Sequence, residues 1–255
     1  MKAILVVSFG TSYEETRKQT IEAIEQDIAQ RFGTIYRGWT SKKIMAKILK
    51  RDGIKINTVK EALTLMKADG VTDVIIQPTH IMNGIENDMM KADALTFSND
   101  FKSIAFGNPL LTTSKDMEAT IQSMVKEFSD VEKDRAIVLM GHGTEHYANM
   151  AYAALDYGFK AHGFDHFFVG TVEGYPELDT VQKLLQKAGY KKVMLAPFMI
   201  VAGDHANNDL VGDDEDSWLS VLKADGYDVT YRLTGLGAYQ SIRDIFLSHI
   251  EEISN

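Results

Sequence analysis

The sequence predicts an α/β protein of two similar lobes, each a parallel sheet flanked by helices. Short apolar runs that end in glycine or proline alternate with segments of helical periodicity along the whole chain, the pattern of repeated βα units. The second half of the chain echoes the first. The 255 residues suffice for one large or two small domains of this kind.

Lys2 to Phe9 is an apolar run closed by Gly10-Thr11-Ser12, read as a strand buried on both faces. One helix is expected over Glu14 to Phe32, with Ile21, Ile24, Ile28 and Phe32 on one face. Thr34 to Trp39 reads as a strand, and Ser41 as the N-cap of a helix through Leu49. Asn57 is the expected cap of a helix carrying Val59, Leu63 and Met66; Val71 to Pro78 is the next strand. A helix over Glu86 to Phe97 and a short strand at Ile104 to Phe106 complete this half, and Gly107-Asn108-Pro109 marks a boundary. The first lobe is therefore assigned to residues 1–111 and the second to 112–255.

In the second lobe Thr113 or Ser114 caps a helix to about Phe128, and the strand at Ile137 follows. Next come a helix over Tyr147 to Phe159, a strand over His166 to Thr171 and a helix over Glu177 to Ala188. Lys192 to Pro197 is a strand, Asn207 to Ala224 a helix, Val229 to Leu233 a strand and Ala238 to Ile253 a closing helix. That last helix, 238–253, has the option of packing back on the first lobe.

The echo is specific. Val6-Val-Ser-Phe-Gly-Thr-Ser12 lies over Leu139-Met-Gly-His-Gly-Thr-Glu145, and Val74-Ile-Ile-Gln-Pro78 over Val193-Met-Leu-Ala-Pro197. Each proline is followed six residues later by a glycine, Gly84 and Gly203. This registers Phe9 with His142 and Glu86 with His205. Lobes facing one another would set these loops on either side of one cleft.

Composition narrows the function. A net charge of −9 lacks the basic footprint of a nucleic-acid binder. No apolar run approaches the roughly 20 residues of a membrane span, and the start reads as a core strand in place of a signal peptide. The absence of cysteine removes disulfides, thiolate metal sites and a cysteine nucleophile. A cytoplasmic protein is the simplest reading.

The chemistry concentrates at strand ends. In Ile137-Val-Leu-Met-Gly-His-Gly-Thr-Glu145, His142 is lifted to the carboxyl edge, where open α/β sheets bind ligands. His205 and Glu173 also lie just beyond expected strands. Two imidazoles and a carboxylate suit a borderline divalent cation such as Co²⁺, Fe²⁺ or Ni²⁺, and equally suit proton abstraction. His80 follows the Pro78 strand and is a second candidate lining residue. Backbone N–H groups at Gly10-Thr11-Ser12 and after Gly143 can offer themselves to carboxylates. The acidic run Asp209, Asp213, Asp214, Glu215, Asp216 reads as a solvated helix start, and His249 as solvated on the closing helix. There is no HExxH, GxGxxG, GxxxxGK[ST] or GxSxG, so a dedicated zinc site, nucleotide binding and a serine elbow lack support.

Ser8-Phe-Gly-Thr-Ser12, Met140-Gly-His-Gly-Thr144, Gly170-Thr-Val-Glu-Gly-Tyr-Pro176 and Leu195-Ala-Pro-Phe-Met-Ile-Val-Ala-Gly-Asp-His-Ala-Asn-Asn208 together resemble the anaerobic, class II (CbiK-type) sirohydrochlorin cobaltochelatases. The resemblance covers essentially the whole chain. It implies a chelatase-like fold of two Rossmann-like lobes with a tetrapyrrole cleft between them, and Co²⁺ insertion in anaerobic cobalamin biosynthesis. It implies His142, Glu173 and His205 as the catalytic and metal-binding set, and Phe9, Gly10, Thr11, Ser12, His80, Glu86 and Gly143 are expected to contact the substrate. Insertion is neither redox nor phosphoryl transfer, so no cofactor is expected; Co²⁺ is a substrate. Iron insertion into the same ring, or a non-catalytic metal or tetrapyrrole carrier, are the competing readings. The expected partners are a sirohydrochlorin-type ring and a divalent ion, with a homo-oligomer in some members of the family. The ring is a polycarboxylate and the protein is acidic: either Arg17, Arg37, Lys42 and Lys43 face it, or its carboxylates stay in water.

Overall fold

In the computed structural model, which describes residues 1–254, the first unit comprises Met1–Thr112 and the segment from Gln240 onward. It runs β1 (Lys2–Ser8), α1 (Glu14–Gln19), α2 (Ile21–Phe32), β2 (Ile35–Trp39), α3 (Lys42–Asp52), α4 (Val59–Ala68), β3 (Asp73–Pro78), α5 (Ile85–Leu95) and β4 (Ser103–Phe106). The four strands are parallel in the order β2-β1-β3-β4. β1 is buried from Ala3 to Ser8, as an unbroken apolar run requires. Ala3, Leu5 and Val7 pack with Val59, Leu63 and Met66 of α4 and with Ile76 of β3. Each of these side chains other than Ala3 contributes about 1.5–3 kcal/mol by leaving water.

The second unit, Thr113–Tyr239, runs α6 (Ser114–Glu127), β5 (Arg135–Gly141), α7 (Met150–Ala161), β6 (Phe167–Thr171), α8 (Leu178–Ala188), β7 (Lys192–Pro197), α9 (Trp218–Ala224) and β8 (Asp228–Tyr231). Its strands are again all parallel, in the order β6-β5-β7-β8. This is the same order as in the first unit, with β5 in the place of β1 and β7 in that of β3. Ser8 and Gly141 close equivalent strands, as do Pro78 and Pro197. No helix among the described residues is long and apolar enough to cross a membrane.

Several elements depart from the sequence expectation for local reasons. The Glu14–Phe32 helix is broken at Thr20, whose hydroxyl donates back to the Thr16 carbonyl at 2.5 Å, an alternative partner that competes with the helix ladder. Thr58 and not Asn57 caps α4, because Glu61 returns a bond to the Thr58 amide and completes a capping box. The long helix expected over Asn207–Ala224 is a single wide π turn, Ala206–Leu210, then an irregular stretch, then α9 capped by Ser217.

The closing helix α10 (Gln240–Glu252) groups with the first unit. Asp27 on α2 accepts from Arg243 Nε at 2.6 Å and from Gln240 at 2.9 Å. Lys2 on β1 donates to the Ser254 carbonyl. His249 is not solvated: it is 2% exposed, and its Nδ1 pairs with the Asn108 carbonyl at 2.9 Å. The periodicity of α10 shows that one face is apolar but carries no information about which sheet covers it.

Candidate metal centre

β5 is buried along its full length, and the chain leaves it at His142. The ladder between β5 and β6 continues past both strand ends: Val172 N donates to Gly141 O at 3.1 Å and Glu173 N to His142 O at 2.8 Å. Gly143 permits this. Its φ is +84°, and a Cβ there would lie 2.7–3.0 Å from the backbone of Glu173 and Gly174, closer than real Cβ contacts. Asn149 clamps both loops, accepting from Thr144 N at 3.0 Å and donating to Tyr175 O at 2.6 Å. Beneath them Tyr152 is buried, with its phenol pushed up to about 12 by burial while the amides of Gly143 and His142 pull the other way.

His205 follows β7. Its loop is held from below by Asn207, whose side chain donates to Gly203 O at 2.8 Å. Ala206 and Leu210 are fully buried, which leaves His205 and Asp209 on the open side of the π turn.

The three strand exits bring one donor atom each from His142, Glu173 and His205 within 4.8 Å of one another. The imidazoles stand edge to face, centroids 4.4 Å apart and planes at 84°. Glu173 Oε2 is 3.7 Å from His142 Nδ1. A divalent ion held at about 2.1 Å by each ligand needs donors roughly 3–3.5 Å apart, closer than the 4.8 Å that bounds this set. Side-chain exposures of 43, 56 and 32% leave the face open to an incoming ligand, as a catalytic site requires.

The ring tautomers follow from the partners. His142 Nδ1 lies 2.8 Å from the Gly143 carbonyl, and His205 Nδ1 lies 2.8 Å from Asp209 Oδ2. A carbonyl can only accept, and so can an ionised carboxylate. Both rings therefore carry their proton on Nδ1 and present the Nε2 lone pair.

The other predicted residues sit at the equivalent edge of the first unit. Phe9 is 43% exposed immediately after β1. Gly10 has φ +104° and presses on Trp39, while Thr11 and Ser12 are buried, Thr11 Oγ1 accepting from Tyr13 N. His80 is buried with neither ring nitrogen hydrogen-bonded, and burial depresses its pKa to about 4. Glu86 is in the first turn of α5, and its Oε2 is buried without a partner.

Two expectations about carboxylate binding need correction. The amide of Thr144 is already engaged by Asn149 Oδ1 at 3.0 Å, so it is not free to hold an anion. Arg17 bonds Glu22 at 2.9 Å and Arg37 pairs with the buried Glu25, so neither is a spare cation; Lys42 and Lys43 are exposed. Sequence reasoning missed Asn149, Tyr152 and the Asp209 contact. Only Asp209 left a signal, its i,i+4 spacing from His205.

Residues 2–255 match the family model described as cobalt chelatase (CbiK). The chain is 40% identical over its full length to a sirohydrochlorin cobaltochelatase of Salmonella typhimurium, spanning 97% of that protein. It is 33% identical over 98% of its length to the sirohydrochlorin cobaltochelatase CbiKC of Nitratidesulfovibrio vulgaris, spanning 89% of it. Among solved structures it resembles SirB from Bacillus subtilis with Fe³⁺ (TM-score 0.69, 13% identity, 98% of this chain and 94% of that one). It also resembles CbiX, described as the terminal enzyme of sirohaem biosynthesis in denitrifying bacteria (TM-score 0.56, 13% identity, 99% of both chains). At those identities the likeness concerns the chelatase fold alone. With the family model covering nearly every residue and two full-length relatives, the chain belongs to the CbiK cobalt chelatase family.

Proposed function

We propose that the protein inserts Co²⁺ into sirohydrochlorin in the anaerobic route to cobalamin, acting as a cytoplasmic lyase without a resident cofactor. The observation that carries this reading is the His142–Glu173–His205 set, whose donor atoms lie within 4.8 Å on an open face. Two neutral nitrogens and one carboxylate hold a borderline cation through three positions. The remaining positions are left for water and then for pyrrole nitrogens. Insertion exchanges one M²⁺ for two N–H protons, so charge must be carried away as the metal enters. The Glu173 carboxylate, 3.7 Å from His142, offsets the cation before transfer and takes one of the two protons as the metal leaves, the other passing to an imidazole that the metal has vacated. Phe9, Gly10, Thr11, Ser12, His80 and Glu86 are the further contacts proposed for the macrocycle.

The test is the change in the ring's visible absorption when purified protein meets sirohydrochlorin and Co²⁺, Fe²⁺ or Ni²⁺ in turn. Cobalt insertion above the protein-free rate, abolished in His142→Ala and in His205→Ala with native circular dichroism, is the expected result. Binding of ring and metal without turnover would mean a carrier, and faster insertion of Fe²⁺ than Co²⁺ would reassign the substrate ion.

A further inference from the structure

Asp209 stands apart from the acidic residues that follow it. Asp213, Asp214, Glu215 and Asp216 are exposed, whereas Asp209 Oδ2 meets His205 Nδ1 at 2.8 Å. Asp209 lies in a π segment, Ala206–Leu210, that His205 caps, a rare geometry often found at functional sites. Its anchors, Ala206 and Leu210, are buried beneath it. We infer that Asp209 is a positioning residue that holds the His205 ring in the Nδ1–H tautomer and aims Nε2 at the metal.

The inference rests on the reading of His205 as a ligand. The two histidines obtain the same tautomer by different means. His142 is fixed by the main-chain carbonyl of Gly143, which no side-chain change removes. His205 depends on one side chain. The pair is partly exposed, 32 and 43%, so as an ion pair it contributes little to stability. Its effect falls on the ligand: a carboxylate behind a metal-binding imidazole fixes ring orientation and strengthens the donor, and its loss typically costs 10–100-fold in metal affinity. Without Asp209 the ring is free to rotate about χ2 and to move its proton to Nε2, which would turn a donor hydrogen to the ion.

The test uses the full chain, stripped of metal, with Co²⁺ alone as the probe. Asp209→Ala should weaken Co²⁺ binding by roughly 10–100-fold while leaving the thermal midpoint in place. ¹⁵N spectra of the metal-free protein should show Nδ1–H at His205 in the parent and a mixture of tautomers in the variant. Asp213→Asn, which removes a nearby charge from an exposed position, should leave the affinity unchanged. Affinity within about twofold of the parent in Asp209→Ala, or Nε2–H at His205 in the parent, would overturn the inference. So would an equal loss in Asp213→Asn, which would assign the effect to general charge attraction. His205→Ala separates the two claims. If it binds Co²⁺ as the parent does, the ligand reading itself fails; if it alone weakens binding, only the role of Asp209 does.

Discussion

Glu173 donates its amide to the carbonyl of His142 at 2.8 Å, so the carboxylate and the imidazole of the candidate metal centre are joined by the ladder that pairs β5 with β6. The main chains approach this closely only because residue 143 has no Cβ. Gly143→Ala would force a left-handed φ on alanine and push its Cβ to 2.7 Å from the Gly174 nitrogen. A cost of about 1–3 kcal/mol is expected from the strain, with loss of roughly 10²-fold in insertion rate from misplacing the two ligands. Urea unfolding and initial rates measure the two effects. A variant as stable and as fast as the parent would mean the loop does not need this contact.

Glu173→Gln keeps the shape and the backbone bond but removes the charge 3.7 Å from His142 Nδ1. The rate of insertion at saturating ring should fall roughly 10²-fold, the loss of part of the several kcal/mol that charge neutralisation supplies. Affinity for the porphyrinoid should change little, since the interaction matters most as the metal is transferred. Parallel losses in affinity and rate would place Glu173 in ring binding instead.

What the sequence disclosed and what it concealed divide along one physical line. Strand exits are legible because an apolar run closed by glycine names its own end, and His142, Glu173 and His205 each follow such a run. The parallel βα order, the Thr113 and Ser41 caps and the equivalence of the two sheets follow from equally local signals. Residues acting through tertiary contacts left no such mark. Asn149 clamps two loops from a position that periodicity reads as the side of a helix. The wide turn at Ala206–Leu210 could not be told from an ordinary helix, because buried anchors four apart serve both.

His249, which the sequence reads as solvated, is the clearest case of the second kind. The buried ring donates from Nδ1 to the Asn108 carbonyl and packs against Phe246, centroids 6.3 Å apart. His249→Ala should therefore destabilise the protein by about 1–3 kcal/mol, through a lost buried hydrogen bond and the space left behind. The folded fraction should retain its insertion rate. His162, exposed at the C-terminal end of α7, is the suitable neutral control. Equal denaturation midpoints for the two variants would show that the Asn108 contact contributes nothing to the fold.

His80 gives the protein a pH dependence with a definite sign. Burial without a hydrogen bond to either nitrogen holds its folded pKa at about 4, against a usual value of 6.5. Between those values the unfolded chain binds a proton that the folded chain refuses, so stability falls as the pH falls. The loss begins near pH 6.5, reaches about 2 kcal/mol at pH 5, and levels off near pH 4 at on the order of 3 kcal/mol. His80→Leu removes the titrating group while keeping an apolar side chain of similar bulk. Denaturant midpoints for parent and variant across pH 7.5 to 4.5 isolate the effect, because every other titrating group is common to both. The two curves should run parallel above pH 7 and diverge below 6.5, the parent losing more. Parallel curves throughout would mean that His80 takes up its proton in the folded state. The ring would then have to reach water or an acidic partner, and Glu86, with its own buried and unpaired oxygen on the next helix, would be the first residue to examine.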